Sequence, residues 1–593
     1  MDTQASAPSA NAGAPVLDRA EALKASPRIP IGNKDTRIEG SISLLGARVD
    51  DLHLKCYGEA PPNPKLKLPR CHSDGIAAAS PRIVLLSPRG AKGGYYAEFG
   101  WTAGGGTAVD LPGSETLWSV ENGARLEPGR PVTLRWDNPQ GTTFRLTYAV
   151  DDNYMLTVTH EVANRGAAPV ALAPYGRVVR QAFPTGQTFA VQHEGFLGYL
   201  AGDLRERTWK KIAKDGGASW VSTAGWLGLT DKYWMTALAP PQDAEFTGRN
   251  DTEATGGLGG TSARFELKAQ QILPSASLKT VSHFFAGAKE VGVVDRYTKD
   301  LGIKKFDLAI DWGTFLWVLT KPMFHLLDFL QRFLNQYVGV WSFGIAILLV
   351  TVCVKLLMFP LTNRSFVMMG KMKKLAPMQK ELQERFKDDK VELQKQTMAL
   401  FQKEKVNPLA GCLPMFVQIP VFFSLYKVIF TTIEMRHAPF VGWIQDLSSR
   451  DPTSLLNLFG LLPFDASAIT HISLVGPLLA TFSIGIWPII MGLTMALQTS
   501  LNPPPSDPTQ KIVFGLMPVI FTIMLGSFPA GLVIYWTWNN LLSITQQYVI
   551  LKRMGTPLDL SNAFGIKSFI QKLGGLKAPA AEPPAAKGEK SGA

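Results

Sequence analysis

Two patterns of apolar and polar residues divide this chain near residue 311. Before it, short stretches alternate, as in Phe144-Arg-Leu-Thr-Tyr-Ala-Val150, Leu156-Thr-Val-Thr-His-Glu-Val162 and Ala263-Arg-Phe-Glu-Leu-Lys268. Period-two alternation between turn clusters such as Asp151-Asp-Asn153 and Asn164-Arg-Gly166 predicts half-buried antiparallel strands. Sustained over residues 37–305, it predicts a large all-β sandwich. Residues 1–36, rich in Ala, Ser and Pro, read as a linker.

After residue 311 the apolar spacing becomes helical. In 314–335, Phe315, Leu319, Met323, Leu326, Leu330 and Leu334 share one face, and Lys321, His325, Asp328 and Arg332 fall largely on the other. This predicts an amphipathic helix lying in the membrane interface, with a core helix of the β domain as the competing assignment. Five apolar runs follow, at 338–361, 411–433, 478–498, 512–529 and 531–551. A bilayer crossing needs about 20 such residues, so each is assigned as a span. The last two are joined at Phe528-Pro-Ala-Gly531 and form a hairpin.

Residues 362–410 separate the first two spans. Met368, Met372, Leu375, Met378, Leu382 and Phe386 recur at helical steps, Asp388-Asp-Lys390 interrupts them, and Leu393, Leu400 and Phe401 resume. The pattern predicts a helical hairpin. Met368, Met369, Met372 and Met378 enrich its first helix, and flexible thioethers suit contact with varied apolar clients. A hairpin packing only on itself explains the same spacing.

Charge sets the orientation. Arg364, Lys371, Lys373, Lys374, Lys380 and further basic residues to Lys405 crowd the hairpin, whereas the 434–477 loop carries only Arg436 and Arg450. The positive-inside rule places the hairpin and the 552–593 tail in the cytoplasm, and the loop and the β domain outside. An external domain needs a translocation signal, and residues 1–35 lack an apolar core. An upstream signal-anchor helix is therefore expected, bringing the spans to six.

The net charge of +12 over 593 residues is concentrated beside the spans and in the tail. That points to membrane topology rather than to DNA, and to ribosome contact through tail and hairpin, with a solvated tail that has no partner as the competing assignment. Of the four cysteines, Cys56 and Cys71 either pair or remain thiols. No zinc-like spacing or phosphate-binding loop occurs, and no cofactor or metal is expected.

The candidate chemistry lies in the spans. Lys355 is the only formal charge in 338–361. A charge near the middle of a spanning helix costs about 2.5–3.5 kcal/mol, so it marks a function unless the amine snorkels to the interface. Other polar residues accompany it: Gln418 in the second span, Thr494 and Gln498 in the third, Trp536, Asn539, Asn540, Gln546 and Gln547 in the last. They line a hydrated cavity or tie helices together. Asp and Glu are absent from all five spans, which weakens a solute transporter or channel, the alternative function. A sugar-active enzyme merely anchored by helices would not need a cytoplasmic hairpin.

The ordered motifs Lys355-Leu-Leu-Met-Phe-Pro-Leu361, Asn407-Pro-Leu-Ala-Gly-Cys-Leu-Pro-Met-Phe-Val-Gln-Ile-Pro420, Pro518-Val-Ile-Phe521 and Phe528-Pro-Ala-Gly-Leu-Val-Ile-Tyr-Trp-Thr-Trp-Asn-Asn540 resemble the YidC/Oxa/Alb family of membrane protein insertases. The resemblance implies a membrane α-helical bundle plus a periplasmic β-supersandwich domain related to sugar mutarotases. It implies a non-enzymatic insertase and chaperone of the bacterial inner membrane, working on nascent membrane proteins alone or with the Sec translocon. It also implies a hydrophilic groove open to cytoplasm and lipid. Lys355 takes the place of the arginine found in many members, and Gln498 and Trp536 face the groove; Asn540 and Gln418 join them on their polarity alone, with Gln418 also suited to tying helices together.

Overall fold

The computed structural model describes residues 17–61, 80–105, 109–184, 192–253, 259–313, 315–407, 413–462, 483–502 and 508–555. The chain forms two compact units, Met1–Lys321 with Lys427–Ala438, and Pro322–Tyr426 with Pro439–Ala593.

The first unit holds, among the described residues, a ten-stranded and a nine-stranded sheet. The strands Arg48–Gly58, Tyr95–Ala103, Val170–Arg180 and Gly260–Leu267 run through the middle of the larger sheet, and Trp234–Ala239, Ser277–Ala288, Met155–Asn164 and Thr142–Val150 through the smaller. Alternation works as expected: Thr142–Val150 buries Phe144, Leu146, Tyr148 and Val150 and turns Arg145 and Thr147 outward. The buried rows of the two sheets meet. Phe99 of the larger sheet sets its ring edge-on to Tyr148, Phe284 and His160 of the smaller at 6.2, 5.8 and 6.0 Å, and Trp101 does the same to Phe144 at 5.1 Å.

Two boundaries differ from the sequence reading. Residues 17–36 are not linker: Arg19–Lys24 is helical, and Arg28–Ile31 pairs with Ile38–Ser43 at the edge of the larger sheet. Ile29 and Ile31 are buried there, and Pro30 is tolerated because an edge strand can do without one N–H. The domain also runs beyond residue 305, because Phe306, Ala309, Ile310 and Trp312 are buried. Residues 1–16 and Cys71, the candidate partner of Cys56, lie outside the described residues.

Lys427–Ala438 is held within this unit by polar contacts. Lys427 Nζ lies 2.6 Å from Asp311 Oδ2, the Val291 N–H donates to Glu434 Oε1 at 2.9 Å, and Arg436 donates to the Gly58 carbonyl at 2.9 Å.

The second unit is helical. The amphipathic helix is Trp317–Val338 rather than 314–335. Thr320, Met323, Phe324 and Leu327 are buried on one face, while Val318, Phe329, Phe333 and Tyr337 stay exposed on another. The apolar stripe therefore divides into a buried part and an exposed part.

The first span does not end at residue 361. It continues into the hairpin as one helix, Ser342–Arg385, through Pro360 and Pro377. Proline removes one helical hydrogen bond but does not stop a helix held by its neighbours. Thr362 Oγ1 supports the turn after Pro360 by donating to the carbonyls of Met358 and Phe359, both at 3.1 Å. The helix stops at Phe386, and Asp389 caps the next one, Lys390–Lys403, by accepting from the N–H groups of Val391 and Glu392. Leu375, Phe401 and Val406, with Met372, close the hairpin on itself.

The remaining helices are Leu413–Thr431, Ile486–Leu501, Pro508–Leu525 and Ala530–Arg553. The helix of the third apolar run is Ile486–Leu501; residues 463–482, which include the start expected at 478, lie outside the described set. The loop before it is extended at Gly485, and Thr453 Oγ1 and Asp451 Oδ2 accept the N–H groups of Ile486 and Trp487, both at 2.9 Å, capping the helix there. Gly492 lets this helix approach its neighbour closely, since a Cβ there would lie 1.9 Å from Thr522 Oγ1.

Burial in this unit inverts the pattern of a protein in water. Leu356, Leu357, Ile512, Val519 and Ile520 are exposed, whereas Thr351, Thr537, Asn540, Ser543 and Gln547 are buried. Apolar outside and hydrogen-bonded polar inside is the arrangement that a hydrocarbon surround favours.

Candidate functional site

The polar residues of the bundle converge on the helix Ala530–Arg553. It lies alongside Ser342–Arg385, and their residue numbers rise together. Gly531 meets Ile347, Ser543 meets Lys355, Gln546 meets Thr362, and Ile550 packs with Phe366 and Met369. At the end Lys374 Nζ donates to the Met554 carbonyl at 2.7 Å, a basic residue satisfying a helix C-terminus. The two helices are thus parallel.

Lys355 is half-buried in this seam. Its Nζ donates to Ser543 Oγ at 2.7 Å, and Ser543 in turn donates to the Asn539 carbonyl at 2.8 Å. Among the described residues no carboxylate forms an ion pair with Lys355. The ammonium is therefore held by a neutral hydroxyl with charge to spare. One turn further, Gln546 Nε2 donates to Thr362 Oγ1 at 3.1 Å.

The adjoining side of Ala530–Arg553 faces Ile486–Leu501. Asn540 Nδ2 donates to Thr494 Oγ1 and Gln547 Nε2 to Asn502 Oδ1, both at 3.1 Å. The Gln547 Oε1 is buried without a hydrogen-bond partner among the described residues. A buried amide oxygen left open is costly unless water reaches it, so this spot suits an ordered water. Gln418 donates to the Tyr535 hydroxyl, linking Leu413–Thr431 to the same helix.

Not every residue singled out in the sequence joins this network. Trp536 stands in an aromatic cluster, edge-on to Phe422 at 4.7 Å and near Phe521 at 5.6 Å, with Met491, Leu525 and Val533 around it. Gln498 is half-buried, one turn beyond Thr494. Met369 is buried against Phe366 and Ile550, and Met372 seals the hairpin base. Met368 is half-buried and Met378 exposed, so the four methionines do not make one surface. Val391 and Met398 of the second hairpin helix are exposed apolar residues as well. Ser543 was missed in the sequence. Its signal was the spacing from Asn539 and Asn540, four and three residues earlier, which puts all three along one side of a helix.

Residues 31–326 match the family model of the YidC periplasmic domain, and residues 333–556 that of the 60Kd inner membrane protein. A solved structure of an active YidC insertase with its first transmembrane domain resolved aligns with 88% of this chain and 94% of its own, at 15% identity and a TM-score of 0.34. The chain is 50% identical over 566 residues to the membrane protein insertase YidC of Methylorubrum extorquens (strain PA1), covering 93% of this chain and 85% of that one. It is 47% identical over 567 residues to the YidC of Nitrobacter hamburgensis (strain DSM 10229 / NCIMB 13809 / X14), covering 94% and 88%. On the two family models and the identity to these relatives, the chain belongs to the YidC family of membrane protein insertases.

Proposed function

We propose that this protein inserts nascent membrane proteins into the bacterial inner membrane through a polar seam centred on Lys355. The observation that carries the mechanism is a lone ammonium held by a neutral hydroxyl inside a bundle whose outer faces are apolar. The insertase activity itself rests on the family. The β domain is periplasmic, and the chain crosses the membrane several times with its hairpin and C-terminus in the cytoplasm.

The mechanism needs no covalent step. The exposed apolar residues of the hairpin, Met378, Val391 and Met398, receive the client. Its polar end enters the seam, where Lys355 and the amides of the terminal helix replace lost water. At an effective dielectric near 20, a unit charge about 4 Å from the ammonium gains about 4 kcal/mol, enough to offset part of the dehydration cost. The client's apolar stretch passes between spans into lipid, driven by about 25 cal/mol per Å² of apolar surface removed from water. Gln498 and Trp536 contact the client further along its path. The basic hairpin and tail contact the ribosome, and the protein works alone or beside the Sec translocon, also acting as a chaperone for folding spans.

A photocrosslinker placed at 355, 498 or 536 is expected to capture a stalled nascent membrane protein, with 355 contacting its polar end. Lys355→Ala and Lys355→Glu are expected to slow insertion of Sec-independent clients, Glu more severely. Normal insertion by both variants at normal protein levels would contradict the seam mechanism.

A further inference from the structure

We infer that Ser543 is a positioning residue for Lys355, fixing where the ammonium sits and which of its protons remain for a client. The inference rests on the seam mechanism above and deepens it.

A lysine side chain has four rotatable bonds and a strongly hydrated head. Left to itself in a membrane span, it would climb towards the interface. Here a partner holds it: its Nζ lies 2.7 Å from Ser543 Oγ, on a helix that accompanies its own for most of its length. The hydroxyl is suited to this. Its single proton is committed to the Asn539 carbonyl one turn back, at 2.8 Å, so the oxygen meets the ammonium as an acceptor. Ser543 is 2% exposed, which protects that acceptor from competing water. An ammonium has three protons, and this contact uses one. The other two stay available to a carboxylate or carbonyl of the client. A carboxylate at position 543 would neutralise the charge that the seam is meant to present; a hydroxyl places it without cancelling it.

The neighbouring contacts fix the register in which this happens. Gln546 to Thr362 on one side, and Ile550 against Phe366 and Met369 beyond it, prevent the two helices from sliding. Ser543 therefore stays opposite Lys355 independently of its own bond. Removing the hydroxyl should release the amine without unfolding the seam, and alanine is a better helix former than serine.

The test is a double-mutant cycle on the full-length protein in proteoliposomes, read as the initial insertion rate of a short client with an acidic N-terminal end. Ser543→Ala is expected to lower that rate by about tenfold, the low end for losing one hydrogen bond to a charged group. Ser543→Thr, which keeps the hydroxyl, should restore most of it. In the Lys355→Ala background, Ser543→Ala should cause no additional loss, because there is no amine left to place. A further loss of the same size in that background would make Ser543 merely structural and overturn the inference. Full activity of Ser543→Ala beside an impaired Lys355→Ala would overturn the inference while sparing the seam mechanism. Full activity of Lys355→Ala would remove both.

Discussion

Asp311, at the end of the β domain's chain, forms a 2.6 Å ion pair with Lys427, in the last turns of the helix Leu413–Thr431. The Asp311 carboxylate also accepts the backbone N–H groups of His193 at 3.2 Å and Gly313 at 3.0 Å. Burial pushes this carboxyl up, but Lys427 and the two N–H groups outweigh it and hold it below its ordinary 3.8. A depressed carboxyl stabilises the fold above its unfolded value and loses that contribution as the pH falls through the folded one. Asp311→Asn should therefore destabilise the protein at neutral pH by about 1.5–3 kcal/mol, the range for a hydrogen bond to a charged group. The deficit should shrink towards pH 3. Thermal unfolding in detergent across that range checks both the size and the direction.

His160 gives a pH effect in a different window. It is buried between the sheets, edge-on to Trp101 at 5.3 Å, with Nε2 at 3.2 Å from the Tyr175 carbonyl. Burial lowers it to about 4 from an ordinary 6.5. The folded ring stays neutral while the unfolded one takes up a proton, so the fold loses stability as the pH falls from 6.5 and the loss levels off near 4. At 1.36 kcal/mol per pKa unit this amounts to about 3 kcal/mol. His160→Leu should flatten the stability of the β domain between those limits, measured as the unfolding midpoint in urea at several pH values. An unchanged slope would show that His160 does not set it.

The close approach of two spans at Gly492 is open to a similar test. A Cβ at that position would lie 1.9 Å from Thr522 Oγ1 and 3.3 Å from Thr522 Cβ. Gly492→Ala should destabilise the bundle by about 1–3 kcal/mol through overpacking. Thr522→Ala should relieve most of that in the double variant, because it removes the clashing oxygen. Protease resistance of the membrane-embedded protein reports the outcome, and equal damage in single and double variants would show that another contact limits the approach.

The sequence made the β domain's interior legible wherever a strand was long enough for alternation to repeat, as in Thr142–Val150 and Met155–Asn164. Arg28–Ile31 escaped because four residues with a proline among them carry too little pattern. Hydropathy located the apolar helices but not their ends. The first apolar run was read as ending at residue 361, whereas the helix runs on through Pro360, where Thr362 bonds back to Met358. Lys355 stood out as an isolated charge. Its partner did not, because a serine in an apolar helix ordinarily does no more than bond to its own backbone. The methionines were legible as a composition, yet which of them turn inward depends on the neighbouring helices, as Met369 against Ile550 shows.

The uninterrupted helix Ser342–Arg385 has a mechanical consequence. Roughly 35 Å of continuous rod separates Met378 from Lys355, at about 1.5 Å per residue. Anything leaning on the hairpin end of this helix pushes a lever whose far arm carries the amine, rather than a loop that absorbs the load. Pro360 and Pro377, each one hydrogen bond short, are the joints along that arm where bending costs least.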